Sequence, residues 1–219
     1  MTFSICATVD GRHGVAIATK AIAVGSTASF VCHDGAVCTQ ATTNTPIGVR
    51  TTRQLEDGVP IDDAVRTQLE ADPNADRRQV HGVDGTGTTV TATGDACESW
   101  AGHLDGDGYT VAGNMLTGES VLEAVGDAFE RDADRSLDER LLVALRAGED
   151  AGGDKRGDHA QSAALSVFDP ETPRLEHDVR VDEHHDAVTE LERVYEVART
   201  TGEDWTERYP AVDLQRHPS

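Results

Sequence analysis

The chain has 219 residues, 37% of them hydrophobic, which is enough to fill the core of one sizeable domain. It carries 40 acidic residues against 19 Lys and Arg, a formal net charge of −21. This surplus excludes nucleic acid and anionic membrane surfaces as expected partners, because both bind cationic protein surfaces.

The basic residues include only two lysines, Lys20 and Lys155. We interpret this acidic, lysine-poor composition as adaptation to a very salty cytoplasm, where charge repulsion is screened; an acidic protein of an ordinary cell is the alternative. No stretch approaches 18 consecutive apolar residues, and the N-terminus has no basic segment followed by a long apolar one. We therefore predict a cytoplasmic protein without a membrane-spanning helix.

The four cysteines form no CxxC pair and lie in apolar sequence surroundings. This pattern favours buried free thiols over a disulfide framework or a zinc site. We predict no metal and no other cofactor.

The predicted elements begin with a β-hairpin, whose strands cover residues 2–9 and 15–19 around the turn residues 10–14. A second hairpin covers 30–32 and 36–41. Two amphipathic helices follow, over 48–57 and 61–71.

The pattern then repeats, with a hairpin over 78–83 and 88–93, a strand over 109–112, and helices over 119–131 and 137–147. Gly148 is expected just beyond the end of the second helix. Strands over 162–168 and 178–182 and a helix over 187–199 complete the chain. This order predicts an α+β fold in which helices cover sheets, rather than βαβ alternation. Since no composition break occurs, we predict one domain over 1–199 and a C-terminal extension over 200–219.

Thr2 is the first candidate for catalysis. Initiator methionine is usually removed before a small residue, which would leave the Thr2 hydroxyl beside a free α-amine. An α-amine is a suitable base near neutral pH, and threonine with its own N-terminal amine is a known nucleophile–base pair. Lys20 ends the antiparallel partner strand, so it is expected near this amine; a surface lysine at a strand end is the alternative.

A glycine-rich loop at 152–157 contains Asp154 and Arg156, which could hold a carboxylate or phosphate; a solvated turn is the alternative. Cys97 and His103 could form a thiol–imidazole pair, although a buried thiol is the commoner arrangement. Metal-capable side chains crowd segments 177–178 and 182–186, but without a recognised ligand spacing.

Taken together, an ordered set of short motifs resembles the domain of unknown function 1028 family. They are MTFSI at 1–5, GVAIATK at 14–20, AVG at 23–25, TQA at 39–41, RQV at 78–80, TGDAC at 93–97, WAG at 100–102, AGNML at 112–116, AGGDKRG at 151–157, QSAAL at 161–165 and DVRVD at 178–182. The family is grouped with the N-terminal-nucleophile hydrolases. The resemblance implies a four-layer αββα sandwich in which two antiparallel sheets are flanked by helices.

The resemblance also implies a function: an N-terminal-threonine amidohydrolase that cleaves a C–N amide bond in a small molecule or peptide. Thr2 would attack the carbonyl with its own amine as base, Lys20 would lie nearby, and Asn114 or backbone N–H groups would stabilise the oxyanion. The residues expected to bind the substrate are Gln40, Asn44, Asp154, Arg156 and Ser162. The alternative is a catalytically silent protein that binds a metabolite or pairs with another subunit. A homo-oligomer is compatible with either function.

Overall fold

The computed structural model describes residues 1–208 apart from 158 and 173, with only the backbone described over 202–208. The strands are β1 (Thr2–Val9), β2 (Arg12–Thr19), β3 (Ser29–Cys32), β4 (Gly35–Ala41), β5 (Arg78–Asp84), β6 (Thr89–Thr93), β7 (Gly102–Gly106), β8 (Tyr109–Asn114), β9 (Ser162–Asp169) and β10 (Arg174–Val181). The helices are α1 (Thr45–Glu56), α2 (Ile61–Glu70), α3 (Ser120–Arg131), α4 (Leu137–Asp150) and α5 (Ala187–Arg208).

The strands form two antiparallel sheets that face each other. One sheet has the order β10-β9-β2-β1-β8-β7 and the other has the order β3-β4-β5-β6. Helices α3, α4 and α5 cover the outer face of the first sheet, and α1 and α2 cover that of the second. The predicted α+β fold and its four-layer αββα sandwich are confirmed.

Strand β1 shows how the sequence builds these layers. Successive side chains of a strand point to opposite faces, so Phe3 and Ile5 pack in the core beneath the helices. Thr2, Ser4 and Cys6 point instead toward the second sheet, where the Ser4 hydroxyl donates to the Gln40 side chain. The layer between the sheets is therefore partly polar, and Thr2 faces it from the end of the strand.

Several elements differ from the sequence prediction, and β2, α1 and β10 each begin three or four residues earlier than predicted. Strand β7 was not predicted, because its five residues begin and end with glycine and none is fully buried. Helix α4 continues to Asp150, so Gly148 lies inside it rather than after it. Helix α5 continues to Arg208, so part of the predicted C-terminal extension is helical; residues 209–219 lie outside the described part. Among the described residues, no helix combines the length and apolar character that crossing a membrane requires.

Gly148 is needed for close packing rather than for ending a helix. A Cβ atom at this position would lie 2.7 Å from Phe3 Cε2 and 2.7 Å from Val125 Cγ2. We expect Gly148→Ala to lower the free energy of unfolding by about 1 kcal/mol or more, because overpacking outweighs the gain in helix propensity. Gly118→Ala is the control, since its nearest neighbour would be Ser120 Oγ at 3.9 Å. Equal stability of the two variants in denaturant titrations would contradict this explanation.

Candidate active site

Strand register places three polar side chains side by side at one end of the layer between the sheets. Thr2 pairs with Thr19 of β2 on one side and with Asn114 of β8 on the other. Directly opposed residues share a face of the sheet, and the Thr2 and Thr19 hydroxyl oxygens are 3.0 Å apart. All three residues line a cavity of about 220 Å³.

Met1 closes this cavity on the Thr2 side. Its exposed fraction is only 6%, its carbonyl accepts a hydrogen bond from the Thr19 hydroxyl, and its amine lies 3.2 Å from the sulfur of Met115. Removal of Met1 would therefore leave the α-amine of Thr2 at the cavity, next to the Thr19 hydroxyl. Thr19 is not among the residues predicted from sequence, although its position opposite Thr2 in the predicted hairpin was a usable signal.

The surroundings of the N-terminus favour an uncharged amine. Burial lowers the pKa of the Met1 amine below its ordinary value of 8.0. The Asp154 carboxylate opposes this shift, whereas the Arg156 guanidinium reinforces it. A larger fraction of the Met1 amine is therefore uncharged at neutral pH than of an α-amine in water.

Lys20 and Arg156 both line the cavity. The Lys20 ammonium donates to the backbone carbonyl of Gly157, which connects β2 to the glycine-rich loop. Arg156 donates from Nε to the carboxylate of Asp154 at 2.9 Å, and a second hydrogen bond from its Nη2 makes the pair bidentate. Burial raises the pKa of the Asp154 carboxyl, but the hydrogen bonds from Arg156 outweigh it, so the pKa lies below its usual value. Asp154 therefore positions Arg156 rather than facing the cavity itself.

Gln79 orients the Asn114 side chain. Its Nε2 donates to the backbone carbonyls of Gly113 and Gly102, at 2.9 and 3.0 Å. Because carbonyl oxygens can only accept, Gln79 Oε1 must be an acceptor, and it receives a hydrogen bond from Asn114 Nδ2 at 3.2 Å. The Asn114 amide group thus has a defined orientation and a second hydrogen for donation at the cavity. Gln79 is not among the residues predicted from sequence, although it lies in the RQV motif.

Three other residues that were predicted to bind substrate are not part of the cavity lining. Gln40 is fully buried and donates to Gln79 Oε1 at 2.8 Å, behind the cavity wall. Ser162 donates to the Ala21 carbonyl at 2.6 Å, so it supports the turn beside the cavity. Asn44 donates to Asp72 at 2.8 Å and is absent from the cavity lining. Direct contact of these three side chains with a ligand in the cavity is not supported.

The structure does not form the two alternative sites suggested by the sequence, the thiol–imidazole pair and the metal site. Cys97 donates to the Arg78 carbonyl at 3.4 Å, and burial raises the pKa of its thiol. His103 instead contacts the Thr93 hydroxyl at 2.9 Å, so these two residues do not form a thiol–imidazole pair. Within the described ranges, residues 177–186 provide no group of three close metal-ligating atoms.

A larger cavity of about 500 Å³ lies at the other end of the sandwich. The turns after β1, β3 and β5 line it, and His13 and His33 are among its residues. It contains none of the residues predicted to be functional, so size alone does not identify the active site.

The comparisons with known proteins identify the family. The sequence model of the Family of unknown function (DUF1028) matches residues 2–191. The chain belongs to the DUF1028 family. This match confirms the resemblance found in the sequence, and all of the predicted site residues lie inside the matched range.

Solved structures resemble this DUF1028 chain to different degrees. Protein SPO2555 from Silicibacter pomeroyi, also assigned to DUF1028, is 32% identical over 90% of this chain and 85% of that chain, with a TM-score of 0.82. Eukaryotic HslV from Trypanosoma brucei is 11% identical over 75% and 98% of the two chains, with a TM-score of 0.42. The Anbu (Gly-1) mutant from Hyphomicrobium sp. strain MC1 is 12% identical over 93% and 97%, with a TM-score of 0.45. No curated protein matches the chain. The SPO2555 structure therefore has the same fold as this DUF1028 chain.

Proposed function

We propose that the chain is an N-terminal-threonine amidohydrolase, which becomes competent when Met1 is removed and then cleaves a C–N amide bond. The observation that carries this proposal is the position of Thr2. Its side chain is the first of β1, lies beside the Thr19 hydroxyl at 3.0 Å, and lines the cavity. Thr2 thus has the hydrogen-bonding partner and the room for a carbonyl group that a nucleophile needs, and removal of Met1 would add its own α-amine as the neighbouring base.

The proposed reaction begins with proton transfer from the Thr2 hydroxyl to its own α-amine. The hydroxyl oxygen attacks the amide carbonyl, and the second Nδ2 hydrogen of Asn114 donates to the developing oxyanion. The amine then returns the proton to the leaving nitrogen, which leaves an ester on Thr2. Water activated by the same amine hydrolyses this ester and restores the enzyme.

The cavity is small while Met1 is present. The cavity of about 220 Å³ is smaller than the roughly 300–1,000 Å³ of sites for drug-sized ligands. Met1 is part of its lining, so removal of Met1 would enlarge it. The guanidinium of Arg156 favours a substrate that carries a carboxylate near the scissile bond.

Trapping of the acyl-enzyme tests the proposal. Mature protein is mixed with a panel of small acyl p-nitrophenyl esters and anilides, quenched in acid, and analysed by peptide mass spectrometry. We expect acylation of the Thr2 hydroxyl in the wild-type protein and none at this position in Thr2→Ala, which keeps an α-amine. Acylation confined to surface lysines, with the same pattern in both proteins, would argue against the proposal.

The activity should also depend on pH in a defined direction. The base must be uncharged, so kcat/KM is expected to fall as the pH drops through the pKa of the α-amine. Burial should place this midpoint below 8.0, the ordinary value, as it does for the Met1 amine. Arg156→Gln removes a cation that lowers this pKa, so its midpoint should move to higher pH. A pH–rate profile with an unmoved midpoint would contradict this role of Arg156.

The second candidate function is binding without catalysis. Burial of Met1 and the hydrogen bond to its carbonyl favour it, because the structure accommodates Met1 fully. This hypothesis predicts that a small ligand raises the melting temperature of Met1-bearing protein without being consumed. Cytoplasmic location, a high-salt environment and assembly into a homo-oligomer remain proposals from the sequence.

A further inference from the structure

Two thiols and an imidazole meet in the layer between the sheets, below the Thr2 site. Cys6 of β1 comes from the first sheet, and Cys38 of β4 and His81 of β5 come from the second, where their register makes them direct partners. All three residues have no solvent exposure. Their ligating atoms lie within 4.8 Å of one another.

This donor set suits zinc. Zn²⁺ is typically bound by thiolate at about 2.3 Å and imidazole nitrogen at about 2.0–2.1 Å in tetrahedral sites. These bond lengths place neighbouring ligand atoms about 3.6–3.8 Å apart, so the three observed atoms need to approach by about 1 Å at the most. Two thiolates also balance the charge of the ion, which a fully buried site requires.

The neighbours of His81 can support a metal-bound imidazole. Nδ1 lies 2.9 Å from the Thr110 hydroxyl, and Nε2 lies 2.7 Å from the Ser4 hydroxyl. Ser4 donates its only hydrogen to Gln40 at 2.7 Å, so in the metal-free state Nε2 carries the imidazole proton and donates to Ser4. Transfer of that proton to Nδ1 frees Nε2 for a metal, and the Thr110 hydroxyl then accepts from Nδ1, which fixes the tautomer and orientation of the metal-bound ring.

We propose that Cys6, Cys38 and His81 form a structural Zn²⁺ site between the two sheets, with the Ser4 hydroxyl as the fourth ligand. Binding releases the two thiol protons to solvent, displaces the water ligands of the hydrated ion, and forms two Zn–S bonds, one Zn–N bond and one Zn–O bond. The ion would be loaded during folding, because none of its three main ligands is reachable in the folded chain. The site joins β1 to β4 and β5, and it is independent of the proposed amide hydrolysis.

Metal content tests the site. Full-length protein is produced in zinc-supplemented medium, purified in high salt with a chelator present, and measured by elemental analysis. We expect about one zinc per folded wild-type chain and less than about a tenth of that in Cys6→Ser and Cys38→Ser. Cys32→Ser is the matched control and should keep its zinc, since Cys32 is also a buried free thiol but packs beneath the helices of the second sheet.

Cobalt gives a second measurement that does not depend on the variants folding. Wild-type protein produced in cobalt-containing minimal medium should show a thiolate-to-cobalt charge-transfer band and the intense visible bands of tetrahedral Co²⁺. Folded wild-type protein without zinc and without these bands would overturn the proposal. The proposal would also be overturned if the zinc content of Cys32→Ser were as low as that of Cys6→Ser.

Discussion

Replacement of Thr2 by alanine should lower kcat/KM by about 10³-fold or more, because it removes the nucleophile and leaves only binding and oxyanion stabilisation. The substitution preserves N-terminal processing, since alanine is also small enough for removal of Met1. Thr2→Ser keeps a hydroxyl and should retain measurable turnover. The rates would be measured on a substrate identified by acyl-enzyme trapping.

Thr8→Ala is the matched control for this experiment. Thr8 lies on the same strand and the same face as Thr2, about 20 Å away at 3.3 Å per residue. Its hydroxyl contacts His13 and the Asp84 carbonyl rather than the cavity. Thr8→Ala should therefore leave kcat/KM nearly unchanged even if it lowers stability. Full turnover by Thr2→Ala, or equal losses in both variants, would contradict a catalytic role for Thr2.

Among substitutions that remove a buried charged side chain, Asp138→Ala should cause the largest loss of stability. We expect the free energy of unfolding to fall by about 3–5 kcal/mol. Asp138 is buried at the start of α4. It accepts hydrogen bonds from the hydroxyl of Tyr195 on α5 and from His177 on β10, the latter at 3.2 Å. Its removal leaves two polar groups without their partner at the junction of three elements.

The same carboxylate gives this loss a defined pH dependence. Burial raises the pKa of Asp138, but the hydrogen bonds from His177 and Tyr195 outweigh it and hold the pKa well below 3.8, the ordinary value. A carboxyl group whose pKa is lower in the folded state than in the unfolded state stabilises the protein fully above its unfolded-state pKa. This contribution is lost as the pH falls toward the folded-state pKa. The stability difference between wild type and Asp138→Ala should therefore be full near neutral pH and shrink below about pH 3.8.

Asp63→Ala is the control for both predictions. Asp63 also lies in the first turn of a helix, so the contribution of the helix dipole is matched. Its ion pair with Arg66 is exposed, and removal of an exposed ion pair costs at most about 1 kcal/mol. Denaturant titrations at constant salt would measure both variants across the pH range. A loss in Asp138→Ala no larger than in Asp63→Ala would contradict the structural role of Asp138.

Sequence patterns were sufficient for most of the fold because the information they need is local. Alternation over 2–9 and the glycine-containing turn after it predicted the first hairpin, and its register brought Lys20 to the cavity that Thr2 lines. Strand β7 escaped because a five-residue, half-buried strand carries little pattern. Gly148 was misassigned because glycine at a helix end and glycine under a packed aromatic ring look alike in sequence.

The site was predicted less completely because it depends on contacts between distant segments. Gln79 orients Asn114 across 35 positions of sequence, through carbonyls that only the fold brings together. Ser162, which lies in the QSAAL motif, and Asn44 are predicted to bind substrate. In the structure Ser162 donates to the Ala21 carbonyl, 141 positions away, and Asn44 donates to Asp72, 28 positions away, and no local sequence pattern predicts either contact.

The free α-amine of Thr2 is the central requirement of the proposed mechanism, and the intact mass of the protein tests it most directly. The protein would be purified in high salt from a halophilic host, and peptide mapping would identify its first residue. We predict a mass that lacks Met1, with Thr2 as an unmodified N-terminus. A mass that retains Met1 would keep the proposed base in a peptide bond and contradict the hydrolase mechanism.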